Sequence, residues 1–172
     1  MSVPAGVVTL AERYGGGVLP RERVAAIIRE VRAAIAPFEA RHAIRARIAG
    51  GRVQMLGTSG TVTTLAGVHL CLERYRRELV DGVWLSFADV SRLAARLAAM
   101  DLAQRAAHPC IGPQRADLVA AGCAVLEALC RTWPVGRLRV ADRGLREGIL
   151  YRLMAEDGHR PAIRPAVAAA GG

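Results

Sequence analysis

Apolar positions along this chain follow two rhythms, and each predicts a different element. Val3 to Leu10 is a run rich in β-branched residues and reads as a strand. Gly15-Gly16-Gly17 turns it, and Pro20 opens a helix in which Val24, Ile27, Ile28, Val31 and Ile35 share one face. Pro37 is expected to end that helix. Arg52 to Leu56 is strand-like after Gly50-Gly51, and Val62 to Leu72 is helical. Glu73 to Val83 reads as a charged connection with an Asp81-Gly82 turn. Ser86 and Asp89 have the spacing of a capping box, which starts a helix with Val90, Leu93, Ala94 and Leu97 on one side and Met100 at its end. Ala106 to Pro113 is a loop. Pro113 is placed to open a helix from Gln114 to Arg131 that is apolar almost all round and so is expected to be deeply buried, with Gly122 packed closely against another backbone. A short strand, Leu138 to Val140, then turns through Ala141-Asp142-Arg143-Gly144 into a last helix ending near Met154.

Strands alternating with helices define an α/β fold around a mostly parallel sheet, although three strands is few for that layout. Residues 1–157 form the folded unit. The remainder, 158–172, is Pro-, Ala- and Gly-rich without periodicity and is expected to be a disordered tail.

Gly57-Thr-Ser-Gly-Thr61 sits where the second strand runs into a helix. Two glycines let a backbone approach a ligand closely, Thr58, Ser59 and Thr61 carry hydroxyls, and the first amides of the helix point outward at the positive end of its dipole. That is a phosphate-binding geometry. An ordinary helix cap accounts for the same residues, because Ser and Thr are preferred there. The Asp142-Arg143-Gly144 turn also leaves the carboxyl end of a strand, where ligands of open α/β sheets bind. Two such turns together favour the phosphate reading, with a helix cap still open for Asp142.

Composition sharpens this. All 24 basic residues are arginine, and the formal net charge is +9, which favours an anionic partner. The four cysteines form no C-x-x-C pair; Cys71, Cys123 and Cys130 lie in apolar helical stretches and read as small hydrophobes, consistent with a reducing cytoplasm. No signal peptide and no long apolar run is visible, so neither secretion nor a membrane partner is expected. Nucleic acid is a distant third reading that rests on charge alone. Trp84 and Trp133 form no stacking platform, so no specific nucleic acid is expected. The absence of a G-x-S-x-G elbow removes support for acyl hydrolysis.

Five ordered stretches resemble the exopolyphosphatase / guanosine pentaphosphate phosphohydrolase (Ppx/GppA) family. They are Pro4 to Tyr14, Gly57 to Ala66, Gly82 to Ser86, Cys110 to Asp117 and Ala141 to Gly148. The resemblance implies the second lobe of the actin-like ATPase fold, a ribonuclease-H-like domain, lacking its first strands. It implies release of terminal phosphate from polyphosphate, or of the 5′ phosphate from guanosine pentaphosphate, with magnesium as cofactor. It assigns Gly57, Thr58, Ser59, Gly60 and Thr61 to the phosphate or nucleotide, and Asp142, Arg143 and Gly144 to the connecting turn where the lobes hinge. The family's Asp-x-Gly-Thr-Asn loop, its catalytic glutamate and its Asp-x-Gly-Gly-Gly-Ser/Thr loop do not occur here. No catalytic residue and no metal ligand is therefore assigned, and the isolated chain is expected to be inactive.

Arg115 and Arg143 are candidate phosphate-charge partners, each with an alternative ion pair at Asp117 or Asp142; ion pairing is favoured for Arg115. Glu127 and Glu147 have plainer helical roles, His69 reads as a satisfied core histidine, and His108 is uncommitted. The expected partners are polyphosphate or guanosine penta- or tetraphosphate, a missing N-terminal lobe, and other copies of the chain through an exposed sheet edge. A non-catalytic module that binds polyphosphate or an alarmone is the alternative function.

Overall fold

The computed structural model describes residues 3–159. The elements are α1 (Val7–Tyr14), α2 (Arg21–His42), α3 (Ile44–Ala49), β1 (Met55–Gly57), α4 (Gly60–His69), α5 (Arg77–Val80), β2 (Trp84–Ser86), α6 (Phe87–Ala99), α7 (Leu102–Ala107), α8 (Val119–Thr132), β3 (Arg137–Val140) and α9 (Leu145–Glu156). The tail expected to be disordered lies, from residue 160 on, outside the described residues.

The organising element is α8, and its sequence explains why it has no wet face. Val119, Cys123, Leu126 and Cys130 recur at helical spacing and join the core beneath the sheet, with Leu65, Leu85, Leu93, Leu97, Leu138 and Val140. Ala120, Ala121, Ala124 and Ala128 line its other side and meet Leu10, Ile27, Ile28 and Val31 of α1 and α2. Small side chains there let two helices approach closely. Gly122 serves the same end toward α4, but the surface it meets is the Thr61 side chain rather than a backbone.

Several sequence expectations are corrected. The first segment is helical from Val7, not a strand. Leu10 and Ala11 are buried while Val8 is exposed, so burial on one helical face overrides the β-branched composition. Pro37 lies inside α2, which continues to His42. The last turn is held from outside: Phe38 packs against Trp133, and the Trp133 indole N–H donates to Glu39 at 2.6 Å. The buried helix starts at Val119, not after Pro113. Residues 113–118 form turns in which Arg115 N–H donates to Gly112 and Leu118 N–H to Arg115. Cys71 is exposed beyond the end of α4, at φ 52, rather than in an apolar helix.

The sheet has order β1-β3-β2, with β1 parallel and β2 antiparallel to β3. It is thus an even mixture rather than mostly parallel. α5 replaces part of the connection expected to be irregular, and β2 follows it at Trp84–Ser86, where no strand was expected. The Ser86 cap follows expectation: its hydroxyl accepts from Asp89 N–H at 3.0 Å at the start of α6. Among the described residues no helix is long and apolar enough to cross a membrane.

Candidate phosphate-binding site

β1 ends at Gly57, and its parallel neighbour β3 ends at Val140, so their two exit turns leave side by side. A hydrogen bond from Ala141 N–H to the Gly57 carbonyl, 2.8 Å, fastens them together. Gly57 has to be glycine, because a Cβ there would lie 2.7 Å from Val62 Cγ1.

Ser59 is the N-cap of α4, and its Oγ accepts from Val62 N–H at 3.3 Å. The capping account therefore holds for this residue. It leaves the N–H groups of Gly60 and Thr61, at the positive end of a ten-residue helix, without a partner among the described residues. Thr61 turns its side chain toward Gly122, where a Cβ would stand 2.3 Å from its Oγ1. Thr58 is the exposed loop hydroxyl. Thr63 and Thr64 are buried one turn on; the Thr63 hydroxyl donates to the Gly60 carbonyl at 3.1 Å.

Arg115 stands over this helix end. A Cβ built on Gly60 would lie 3.5 Å from Arg115 Nη1, and that nitrogen donates weakly to Thr64 Oγ1 at 3.4 Å. Among the described residues Arg115 forms no salt bridge, contrary to the pairing with Asp117 favoured from sequence. The turns before α8 are the reason: by delaying the helix they aim the guanidinium at α4. Two free amides and an uncommitted guanidinium thus converge where an anion would sit.

The second turn is braced on every side. The Tyr75 hydroxyl donates to Asp142 Oδ2 at 2.7 Å; burial first, and then this bond, push the phenol up to about 12. Asp142 N–H donates to Asp81 Oδ1, and Arg77 binds the Asp142 carbonyl and reaches its carboxylate at 3.5 Å. Arg143 pairs with Asp81 at 3.1 Å rather than with Asp142. Gly144 caps α9, its N–H donating to Glu147 Oε2 at 2.7 Å. Tyr75 and Arg77, the residues that hold this turn, were missed from sequence. They lie some 65 residues away in the chain, and nothing local marks them.

The remaining candidates have structural roles. Glu127 bonds Arg131 and Ser91. His69 is not satisfied: its buried Nδ1 has no hydrogen-bond partner and stands 4.0 Å from Asp89. His108 accepts from Cys110 N–H, and burial lowers its pKa. A resident magnesium ion does not fit these donors. Among the described residues no cluster of three or more His, Cys, Asp or Glu could hold a metal, and the Asp142 and Asp81 carboxylates are already engaged.

Glu147 offers a test of the brace. Backbone N–H donation from Gly144 and the Arg77 bond lower it to about 2 from an ordinary 4.5. A depressed carboxylate contributes stability that is complete above its unfolded value and is lost as pH falls toward the folded one. The start of α9 is therefore expected to loosen between pH 4.5 and about 2. Amide exchange at residues 144–147 measures this, and Glu147→Gln should flatten the pH dependence. An equally steep profile in that variant would assign it to other carboxylates.

The comparisons with known proteins agree with this fold. The Ppx/GppA phosphatase family model matches residues 1–157, so the chain belongs to that family. A comparison with curated proteins found no match. Among solved structures, a Ppx/GppA enzyme of Aquifex aeolicus superimposes with TM-score 0.75 at 21% identity over 88% of this chain and 48% of its own. An exopolyphosphatase-like protein gives 0.77 at 24% over 91% and 50%. An exopolyphosphatase from Cytophaga hutchinsonii gives 0.69 at 24% over 90% and 48%. The chain thus spans about half the length of these relatives and has the fold of a single lobe.

Proposed function

We propose that this chain supplies the phosphate-binding loop of a Ppx/GppA-type phosphoanhydride hydrolase. The reaction is release of terminal phosphate from inorganic polyphosphate or of the 5′ phosphate from guanosine pentaphosphate. The observation that carries this is the convergence of the free Gly60 and Thr61 amides with the Arg115 guanidinium. Phosphoryl transfer needs positive groups on the phosphoryl oxygens, a positioned water and a base. The loop and Arg115 meet the first need. We assign no base here, because the family's catalytic glutamate motif does not occur in the sequence and Asp142, Glu147 and Glu127 are held by Tyr75, Arg77 and Arg131. Magnesium we assign to the anionic chain it accompanies, with no step on these residues. The four free cysteines support a reducing, cytoplasmic setting. The engaged carboxylates also favour a second reading, a module that binds polyphosphate or an alarmone without cleaving it.

Calorimetric titration with polyphosphate and with guanosine pentaphosphate, with magnesium and at two salt concentrations, tests the site. Saturable binding is expected. Arg115→Ala should weaken it roughly 10-fold or more, the scale of a charge-assisted hydrogen bond. Gly60→Trp should abolish it by filling the space beside Arg115. Binding that high salt removes and neither variant alters would reduce the interaction to net charge. Rapid phosphate release by the chain alone would contradict the absence of a base.

A further inference from the structure

Gly60, Thr63, Thr64 and Gly67 recur at helical spacing and share one face of α4. Arg115 covers the start of that face, at Gly60 and Thr64. Tyr75 covers it further along, where a Cβ on Gly67 would stand 3.8 Å from Tyr75 Cδ2. The tyrosine ring runs back toward the loop. Its hydroxyl donates to Asp142 Oδ2 at 2.7 Å, and Asp142 follows Ala141, whose N–H is bonded to the Gly57 carbonyl. The phenol oxygen feels charges of both signs there. Burial is the main reason that it is pushed up to about 12, and Asp142 adds to this, while the Thr63 hydroxyl and the Arg115 charge act against it.

A carboxylate beside an anion site has to be held in place. Two groups face that of Asp142: Tyr75, and Arg77 at 3.5 Å. Arg77 is shared, because it also binds the Asp142 carbonyl and reaches Glu147 at 3.2 Å. Arg143, from the same turn, is engaged by Asp81, which also accepts the Asp142 N–H. Arg115, over the α4 face that Tyr75 shares, forms no salt bridge among the described residues. A carboxylate released by the tyrosine would meet in Arg115 an unpaired opposite charge. Such a pair would cancel the charge offered to a phosphate.

We propose that Tyr75 is a positioning residue for the phosphate site: its hydroxyl fixes the Asp142 carboxylate in the second turn, keeps it from pairing with Arg115, and so leaves the guanidinium free for an anion. The ligand half of this inference rests on the phosphate reading of the Gly57 loop. The half that concerns Asp142 and Arg115 does not.

Tyr75→Phe tests it, because phenylalanine keeps the ring against Gly67 and removes only the hydroxyl. Two readouts are taken on the full chain, with circular dichroism to check folding. The first is the guanidinium Nε–H resonance of Arg115 in the NMR spectrum, identified by its loss in Arg115→Ala. It should move in Tyr75→Phe and return when Asp142→Asn is added. The second is calorimetric affinity for inorganic tripolyphosphate with magnesium present. Tyr75→Phe should weaken it about 5-fold, the net worth of one neutral hydrogen bond. Adding Asp142→Asn should bring it back to within about 2-fold of the parent. Asparagine removes the charge without repairing a loosened turn, so rescue separates the placing of a carboxylate from packing. Tyr75→Phe should also cost nothing further in an Arg115→Ala background, since it acts through that arginine. A resonance that Tyr75→Phe leaves in place, or that Asp142→Asn does not return, overturns the proposal. So does an unchanged affinity, or a loss that asparagine leaves standing. If the parent fails to bind tripolyphosphate while the resonance moves and returns, the ligand assignment falls and the role of Tyr75 toward Asp142 and Arg115 stands.

Discussion

Gly122→Val is expected to destabilise the fold by about 3 kcal/mol, the upper end of what overpacking a well-filled interior costs. A Cβ at that position meets Thr61 Oγ1 at 2.3 Å, Thr61 Cγ2 at 3.1 Å and Thr61 Cβ at 3.3 Å. The first distance is far inside van der Waals contact, and valine adds two methyl groups beyond it. Nor can the Thr61 side chain simply rotate away. Its Cβ is also close, and it opens a helix whose Val62 to Val68 are all buried. The strain has to move α4 as a body. One term opposes this: removing a glycine from a helix interior is favourable by up to about 1 kcal/mol, and less for valine than for alanine. It is the smaller effect. Urea unfolding measures the loss. Thr61→Ala removes the two closest of the three contacts, so the double variant should lose less than the sum of the singles. If Gly122→Val falls within about 0.5 kcal/mol of the parent, α4 is not seated on α8 as described. The same displacement carries the Gly57–Thr61 loop out of register with Arg115. Ligand affinity is then expected to fall even at temperatures where the variant remains folded.

That coupling shows why some of this molecule was legible in its sequence and some was not. Ser59, Gly57 and Gly122 are marked by local chemistry: a hydroxyl before a helix, a glycine where a strand must end, a glycine inside an apolar helix. Their roles follow from neighbours within a few residues or from a face with helical spacing. Val7 to Leu10 carries strand-forming residues yet folds as a helix, because the partners that decide it are Ile27 and Ala124, far away in the chain. The delayed start of α8 has the same character. Pro113 marks a legitimate helix opening, but Gly112, at φ 72, and the turns after it shift the start to Val119. That shift is what makes Arg115 a ligand candidate rather than an ion-pair partner. Tyr75 and Arg77 had no local signal at all. The sheet was half legible. β1 carries apolar Met55 and Leu56 and β3 alternates Leu138 and Val140 with arginine, whereas β2, as short as β1, has Trp84 half-exposed beneath the guanidinium groups of Arg137 and Arg139.

Arg105→Ala should be as damaging as any single change remote from the ligand, for a reason the sequence also concealed. In α7 this side chain is completely buried, and among the described residues no carboxylate pairs with it. It donates instead to backbone carbonyls: Gly17 at 2.6 Å, Gly16, and Asp101 at 3.3 Å. Burial lowers its pKa, with Asp101 and Asp117 acting weakly the other way. The arginine thereby pins the turn between α1 and α2 to α7. That turn sits tight against the approach to α8, where a Cβ on Gly16 would stand 2.8 Å from Asp117 Cβ. Two effects compete on truncation. Removing an uncompensated buried charge relieves a desolvation cost, which is why a buried ionic group is weak evidence for stability. Against it, the Gly16 and Gly17 carbonyls lose a donor, at a net of about 0.5–1.5 kcal/mol each because Gly16 is only half-buried and Gly17 is exposed to water. An arginine-sized cavity also opens, and large-to-small changes of that kind typically cost about 2–5 kcal/mol. The second pair of terms wins, and a net loss of about 3–5 kcal/mol is expected. For a chain of this size that corresponds to a fall in Tm of roughly 6–20 °C. Arg105→Met separates the terms, since it keeps the stem volume and omits the donors; it should lose about half as much. If Arg105→Met matches the parent in Tm, packing alone explains the site and the carbonyl bonds contribute nothing. If it matches Arg105→Ala, the bonds are the whole of it, and the Gly15–Gly17 turn is held to the rest of the molecule by one guanidinium.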